Sequence, residues 1–281
     1  MKLHCVTAYK PKNEMYFVTD VMGCTLERVL RSKQDISEAH IAHFALQLLQ
    51  AVAAMHSIGV VHYEIQPSHI LVNSCCDLKV IGETFVALEG SARDQDEEDQ
   101  RRRWGSRWRW YCSPETMLCP DLPYHTAADL FGVGCVIAEM FLRKPMFPGD
   151  DYLHQLNLIL KFTGYREEKD LGVQPSERAV NYLNKSCVTP GMHTSDAFPT
   201  ASAEARNFLQ ELLRLNPAER PTAEQALRHP FLADAEVLHD YSRTYLTRPT
   251  PDYFGPPPLR QFSWGRGRRS RSRRWRRCRH S

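Results

Sequence analysis

The sequence predicts an α+β fold that is mainly α-helical, and three patterns carry that expectation. Ile41, Phe44, Leu48, Val52 and Met55 recur at three- and four-residue spacing, which makes one continuous apolar helical face. Leu130 to Leu142 is the longest apolar stretch; it contains Glu139 and is too short to span a bilayer, so it reads as a core helix. Strand-like runs are few and short: Met15 to Met22, then His69 to Asn73 and Leu78 to Ile81.

In chain order, Met15 to Met22 (MYFVTDVM) fits a buried strand, and Thr25 to Leu30 fits a short helix. Ser37 is a suitable N-cap for the long helix that follows. That helix closes at His56-Ser57-Ile58-Gly59, where the glycine suits a left-handed cap. A polar loop then runs from His62 to Ser68, and a turn, Asn73 to Asp77, joins the next two runs into a hairpin. The chain is polar from Phe85 to Gly105. Asp94 to Asp99 holds five acids in six positions and Arg101 to Arg103 follows, a charge run that reads as a solvated loop. Pro256-Pro257-Pro258 breaks any preceding order, and Gly265 to Ser281 is too charged to bury. No repeat of 20–50 residues is visible.

Composition narrows the function classes. With 281 residues, 42% apolar and 25% charged, the chain has the make-up of a globular protein of one large or two small domains. Nine cysteines, an odd number with no CxxC pair, argue for a reducing compartment and against a disulfide framework. Cys75-Cys76 sits at a turn and is not expected to bind metal. Lys2 and His4 are followed by no sustained apolar run, so no secretory leader is expected. The net charge of +3 hides an asymmetry: nine arginines and no acid lie between Arg266 and Arg279, so the remainder is net negative.

The stretch from Met55 to Phe85 carries more than periodicity. Its loop reads His62-Tyr63-Glu64-Ile65-Gln66-Pro67-Ser68-His69, and Gly82-Glu83-Thr84 follows the hairpin. This arrangement resembles the catalytic loop H-R-D-L-K-P-x-N and the D-F-G motif of protein kinases. Further along, Trp108 to Glu115 is similar to the R-W-Y-R-A-P-E that closes the activation segment of MAP kinases. Tyr124 to Asp129, Val133 to Met140, Arg143 to Gly149, Asp151 to Leu156, Leu209 to Arg220 and His229 to Leu232 extend the likeness. It covers roughly Met15 to Leu232 and is to MAP kinases in particular.

The resemblance implies a kinase-like large lobe with a truncated small-lobe remnant. Residues 1–25 would be that remnant and the hinge, 26–248 the large lobe with a MAP-kinase-type insert at about 161–202, and 249–281 a disordered tail. Thr19 would be the gatekeeper, with Asp20, Val21 and Met22 as hinge and Leu71 as part of a pocket remnant. The fourteen residues before Met15 contain no Gly-rich loop, strand lysine or helix glutamate.

Within the site, the resemblance puts Glu64 at the aspartate position of the catalytic base and Gln66 at the lysine position. His69 stands where the metal-binding asparagine is expected, and Gly82 where the D-F-G aspartate is expected. Glu83 would face away from the site if the strand continued. Tyr63 replaces the arginine that meets the activation-loop phosphate, and the phosphoacceptor positions fall on Arg103-Trp104-Gly105. His62, Asp129, Glu115 and Arg220 would be structural.

The function so implied is that of a pseudokinase, a binding or scaffold partner for proteins of a kinase pathway, with no cofactor and no metal. ATP and Mg belong only to the alternative of a weak serine/threonine kinase using Glu64 as its base. A second alternative is a nucleic-acid-associated adaptor acting through Arg266 to Arg279, a run that also suits an import receptor. Asp234, Glu236 and Asp240 lie where MAP kinases carry an acidic docking groove. No membrane association is expected, and the implied location is cytoplasmic, nuclear or both.

Overall fold

Ser37 opens the longest helix, and its hydroxyl accepts a hydrogen bond from the His40 backbone N–H. That satisfies one of the donors a helix start leaves unpaired. The computed structural model describes residues 3–9, 14–82, 87–91, 107–184 and 189–235. Strands β1 (Leu3–Tyr9), β2 (Glu14–Thr19) and β3 (Cys24–Thr25) come first, then α1 (Leu26–Arg31) and α2 (Glu38–His56). Next come β4 (Val60–Val61), β5 (Ile70–Val72), β6 (Leu78–Val80) and β7 (Ala87–Leu88). A 3-10 turn at Arg107–Tyr111 leads into α3 (Pro114–Leu118), α4 (Ala127–Leu142) and α5 (Tyr152–Thr163). Helices α6 (Glu177–Leu183), α7 (Thr194–Ala197), α8 (Ala203–Leu212) and α9 (Ala223–Ala226) follow. The strands form three small antiparallel sheets, ordered β1-β2, β3-β5-β6 and β4-β7.

Helix α2 buries Ile41, Phe44, Leu48 and Val52 together with Ala45 and Leu49, so its apolar face is wider than one seam; Met55 is half-buried. Each such large side chain contributes about 1.5–3 kcal/mol on removal from water. The helix ends at His56, and Gly59 takes φ +72° just beyond it. A Cβ at Gly59 would meet nothing within 4 Å, so backbone conformation rather than space asks for glycine. Among the described residues no helix is long and apolar enough to cross a membrane.

Helix α4 is buried on every side from Ala128 to Met140. Gly132 lets it approach the polar loop: a Cβ there would sit 3.1 Å from Ile65 Cβ and 3.3 Å from the Ile65 carbonyl. On one flank a run of rings, Phe131–Phe147–Phe162–Phe198, packs at centroid separations of 5.7–6.3 Å, the first pair stacked and the other two edge-on. Spacing alone does not join these four, because they come from four separate parts of the chain.

One expectation is corrected at the N-terminal end. The Met15–Met22 run is not a buried strand. Strand β2 covers only Glu14–Thr19, and Tyr16, Phe17 and Val18 are 49%, 63% and 47% exposed. It pairs with β1, a strand that the sequence reading did not place, and among the described residues these two make a sheet by themselves. A two-stranded ribbon has no second layer against which to bury both faces. Glu83, the charge run at 94–103, Arg103-Trp104-Gly105, Glu236, Asp240 and the tail lie outside the described residues.

Candidate functional site

The polar loop is held from below by one carboxylate. Asp129, in the first turn of α4, accepts from the His62 N–H at 2.8 Å and from the Tyr63 N–H at 2.6 Å. His56 at the end of α2 adds a third bond to Asp129 at 2.9 Å. Two backbone donors that would otherwise be orphaned in the interior are thereby paired.

His62 is buried and uses both ring nitrogens. Nε2 donates to the Ile81 carbonyl (3.1 Å) and Nδ1 accepts from the Glu64 N–H (3.2 Å), a pattern that needs the neutral ring. Burial lowers its pKa, and nearby Asp129 and the Ile81 carbonyl only partly oppose that.

The structure brings Glu64, Gln66 and His69 together. His69 Nδ1 lies 3.0 Å from the Glu64 carbonyl, to which it donates, and 3.6 Å from Glu64 Oε2. Gln66 Nε2 approaches His69 Nε2 at 3.4 Å and donates there. The imidazole therefore meets a backbone carbonyl at Nδ1, with the Gln66 amide nitrogen near both ring nitrogens, at 3.5 and 3.4 Å. Glu64 itself is buried, and Gly82 is an exposed residue just past β6 that adds no side chain.

Thr19, Asp20 and Met22 lie at the end of β2 and just after it, and Leu71 lies on β5. Thr19 ends β2 and donates to the Asp20 carbonyl, while Asp20 pairs with His4 of β1 at 2.6 Å. Met22 is half-buried, and the chain after it is joined to β5 by the pairs Cys24↔Val72 and Thr25↔Leu71.

Glu115 and Arg220 meet in a two-pronged pair, both contacts 2.7 Å, with neither side chain exposed. Arg220 also donates to the carbonyls of Arg214, Ala127 and Leu215, and its guanidinium lies 4.9 Å from the centre of the Phe131 ring. Burial alone would push the Glu115 carboxyl up. The Arg220 charge and hydrogen bonds, with help from His125, outweigh it and hold the carboxyl below its usual range.

Sequence reasoning missed two contacts and one backbone conformation. Tyr111 donates to Glu139 at 2.5 Å inside the core, where burial raises the Glu139 carboxyl. Gln47 of α2 holds the hairpin turn, donating to the Cys76 carbonyl and accepting from the Leu78 N–H. Tyr63 takes φ +63°, a left-handed conformation that costs an ordinary residue on the order of 1–3 kcal/mol. A polar residue at helical spacing inside an apolar face, such as Gln47, was the available signal; nothing in the letters marks the other two. Among the described residues no group of three or more His, Cys, Asp or Glu side chains is placed to hold a metal ion.

Comparison with known proteins shows the family of the chain. Residues 3–232 match the protein kinase domain. Mitogen-activated protein kinase spk1 of Schizosaccharomyces pombe is 38% identical over 247 residues, 87% of this chain and 63% of that protein. Mitogen-activated protein kinase mpkB of Aspergillus fumigatus is also 38% identical, over 88% of this chain and 67% of that protein. Mitogen-activated protein kinase 2 of Oryza sativa subsp. japonica is 36% identical, over 81% of this chain and 56% of that protein. The chain thus spans 56–67% of the length of these relatives. It belongs to the protein kinase family, in the MAP-kinase-like branch.

Proposed function

We propose that this chain is a pseudokinase, a kinase-shaped protein that acts by binding or scaffolding partners in kinase signalling. The observation that carries the reading is the composition of the loop. Kinases neutralise a transferring phosphate with a lysine and two magnesium ions, held by an asparagine and an aspartate. Here the matching positions are Gln66, His69 and Gly82; Gln66 bonds His69, and His69 bonds the Glu64 carbonyl. Magnesium prefers an octahedron of oxygen ligands, so an imidazole and a glycine at the two ligand positions do not suit it, and the amide at the lysine position brings no charge. Preorganised charge is usually the largest catalytic contribution, and little of it remains at these positions. Glu64 keeps a carboxylate at the base position, but one methylene longer and buried beside His69.

The test is phosphotransfer from ATP and magnesium to a generic basic protein. The expected result is incorporation no higher than background. Incorporation that disappears in Glu64→Ala would establish the weak-kinase reading instead.

A further inference from the structure

The geometry points to a binding site for a small organic anion, an apolar body bearing a carboxylate or a phosphate, in a cleft at the C-terminal end of α5. The cleft holds about 650 Å³, within the range of small-molecule sites. Parts of three segments line it: 162–166 at the end of α5, 189–194, and 213–219 after α8. None of the loop residues 62–69 does, so the site holds whether or not the chain transfers phosphate.

Its walls are fixed by the protein's own bonds, so no ligand is needed to shape it. Tyr165 and Thr189 exchange two backbone hydrogen bonds of 2.9 Å, and the Met192 N–H donates to the Phe162 carbonyl at 2.9 Å. Gly164 and Gly191 allow that approach: both have positive φ, and a Cβ on Gly164 would lie 3.2 Å from the Gly191 nitrogen. After α8, Asn216 Oδ1 accepts from the Ala218 N–H, and the Arg214 carbonyl accepts from buried Arg220, each at 2.9 Å.

The lining combines an apolar surface with unused cationic donors. Phe162, Tyr165, Leu213 and Leu215 are buried apolar side chains, and Met192 is 42% exposed. The Arg166 guanidinium makes no hydrogen bond among the described residues; its Nε lies 3.5 Å from Asp170. Arg214 uses Nη1 alone, donating to the Glu219 carbonyl at 3.0 Å, which leaves Nε and Nη2 free among the described residues. The carboxylates beside them already have donors. Asp170 accepts from the Arg166 and Glu167 N–H groups at 2.9 and 3.3 Å, and Glu219 from Asn216 Nδ2 at 3.3 Å. What the cleft leaves unmet is therefore N–H, and a guanidinium presents such donors in pairs that match carboxylate or phosphate oxygens. Both arginines sit in exposed ion pairs, which hold them weakly, so an incoming anion gives up little by engaging them.

Equilibrium dialysis of the full chain against four probes with one ring system tests this: naphthoate, naphthyl phosphate, neutral naphthylmethanol and cationic naphthylmethylamine. At least one of the two anions should bind more tightly than the alcohol and the amine, and the tighter anion identifies the head group. Arg166→Gln and Arg214→Gln should each weaken that anion by about tenfold, the scale of a lost hydrogen bond to a charged group. These side chains are 75% and 44% exposed, so neither substitution opens the core. Arg178→Gln, exposed on α6 and outside the cleft, should leave the affinity unchanged. Anions that bind no better than the alcohol or the amine would overturn the proposal. So would wild-type affinity in either cleft variant, or an equal loss in Arg178→Gln.

Discussion

Glu115 and Arg220 meet where neither side chain touches water, whereas Glu64, Gln66 and His69 meet in a loop whose contacts are an amide, an imidazole and a backbone carbonyl. In the first place two full charges are kept in the interior, and the guanidinium is matched by a carboxylate and three carbonyls. In the second, the His69 imidazole meets the Glu64 carbonyl, the Gln66 amide and, at 3.6 Å, the Glu64 carboxylate. A buried charge survives only when its polar neighbours match it; the loop offers an imidazole, an amide and one carboxylate, with no cation among the three. The contrast separates what holds the frame together from what would carry phosphoryl chemistry.

The largest effect should come from breaking the charged cluster. Arg220→Ala leaves Glu115 buried without its guanidinium, which costs about 3–5 kcal/mol. Arg31→Ala removes an ion pair with Glu27 in which the side chains are 60% and 31% exposed, and should stay within about 1 kcal/mol. Urea melts of the two variants side by side measure the difference. Equal midpoints would mean that the buried pair is no more important than a surface one.

A pH series sharpens the comparison at intermediate size. The folded pKa of His62 lies below its ordinary value of 6.5, chiefly through burial. The unfolded chain therefore takes up its proton at higher pH than the folded chain does. The stability contributed by His62 is full above about pH 6.5 and falls as pH drops below that value, by at most about 1.4 kcal/mol per unit. The loss ends once the folded pKa is passed. Between pH 7.5 and 5.5, wild type should lose stability relative to His62→Asn. A constant gap between their urea midpoints would rule this out. Glu115 works in a separate, lower window: its carboxyl is held below the ordinary 4.5, so its contribution is present above that value and lost as pH falls through the folded pKa.

The smallest expected effect belongs to the loop. A ligand that binds only the folded chain stabilises it by about 2.7 kcal/mol at a hundredfold excess over its dissociation constant, enough for several degrees in melting temperature. ATP with magnesium at millimolar concentration should give no measurable shift. A rise of several degrees would show that the loop accommodates nucleotide and metal despite its ligand set.

Helix α2 and the β5–β6 hairpin were legible because their signals are local: an apolar face, a cap at Ser37 and a turn between two short runs. The loop residues were legible as a group because His62 to His69 are contiguous. How they bond was not, since whether His69 faces Glu64, Gln66 or solvent depends on rotamers that spacing does not encode. The β1–β2 ribbon misled for a related reason. Tyr16, Phe17 and Val18 have the composition of an interior strand, but burial depends on what lies against a strand rather than on its own letters. Tyr63 was recognised as a substituted position, yet its left-handed backbone and bonds to Trp108 and Thr116 arise between residues 45 and 53 positions apart.

Gly132 gives the loop a second address in the sequence. The missing side chain there leaves room for Ile65, the residue between Glu64 and Gln66. Adding one methyl at position 132 would press on Ile65 from behind and ask it to yield by a few tenths of an ångström. Drift on the hidden side of a core helix can therefore re-aim Glu64 and Gln66 while every letter of the loop stays the same. Histories of this site that compare only residues 62–69 would miss this contact.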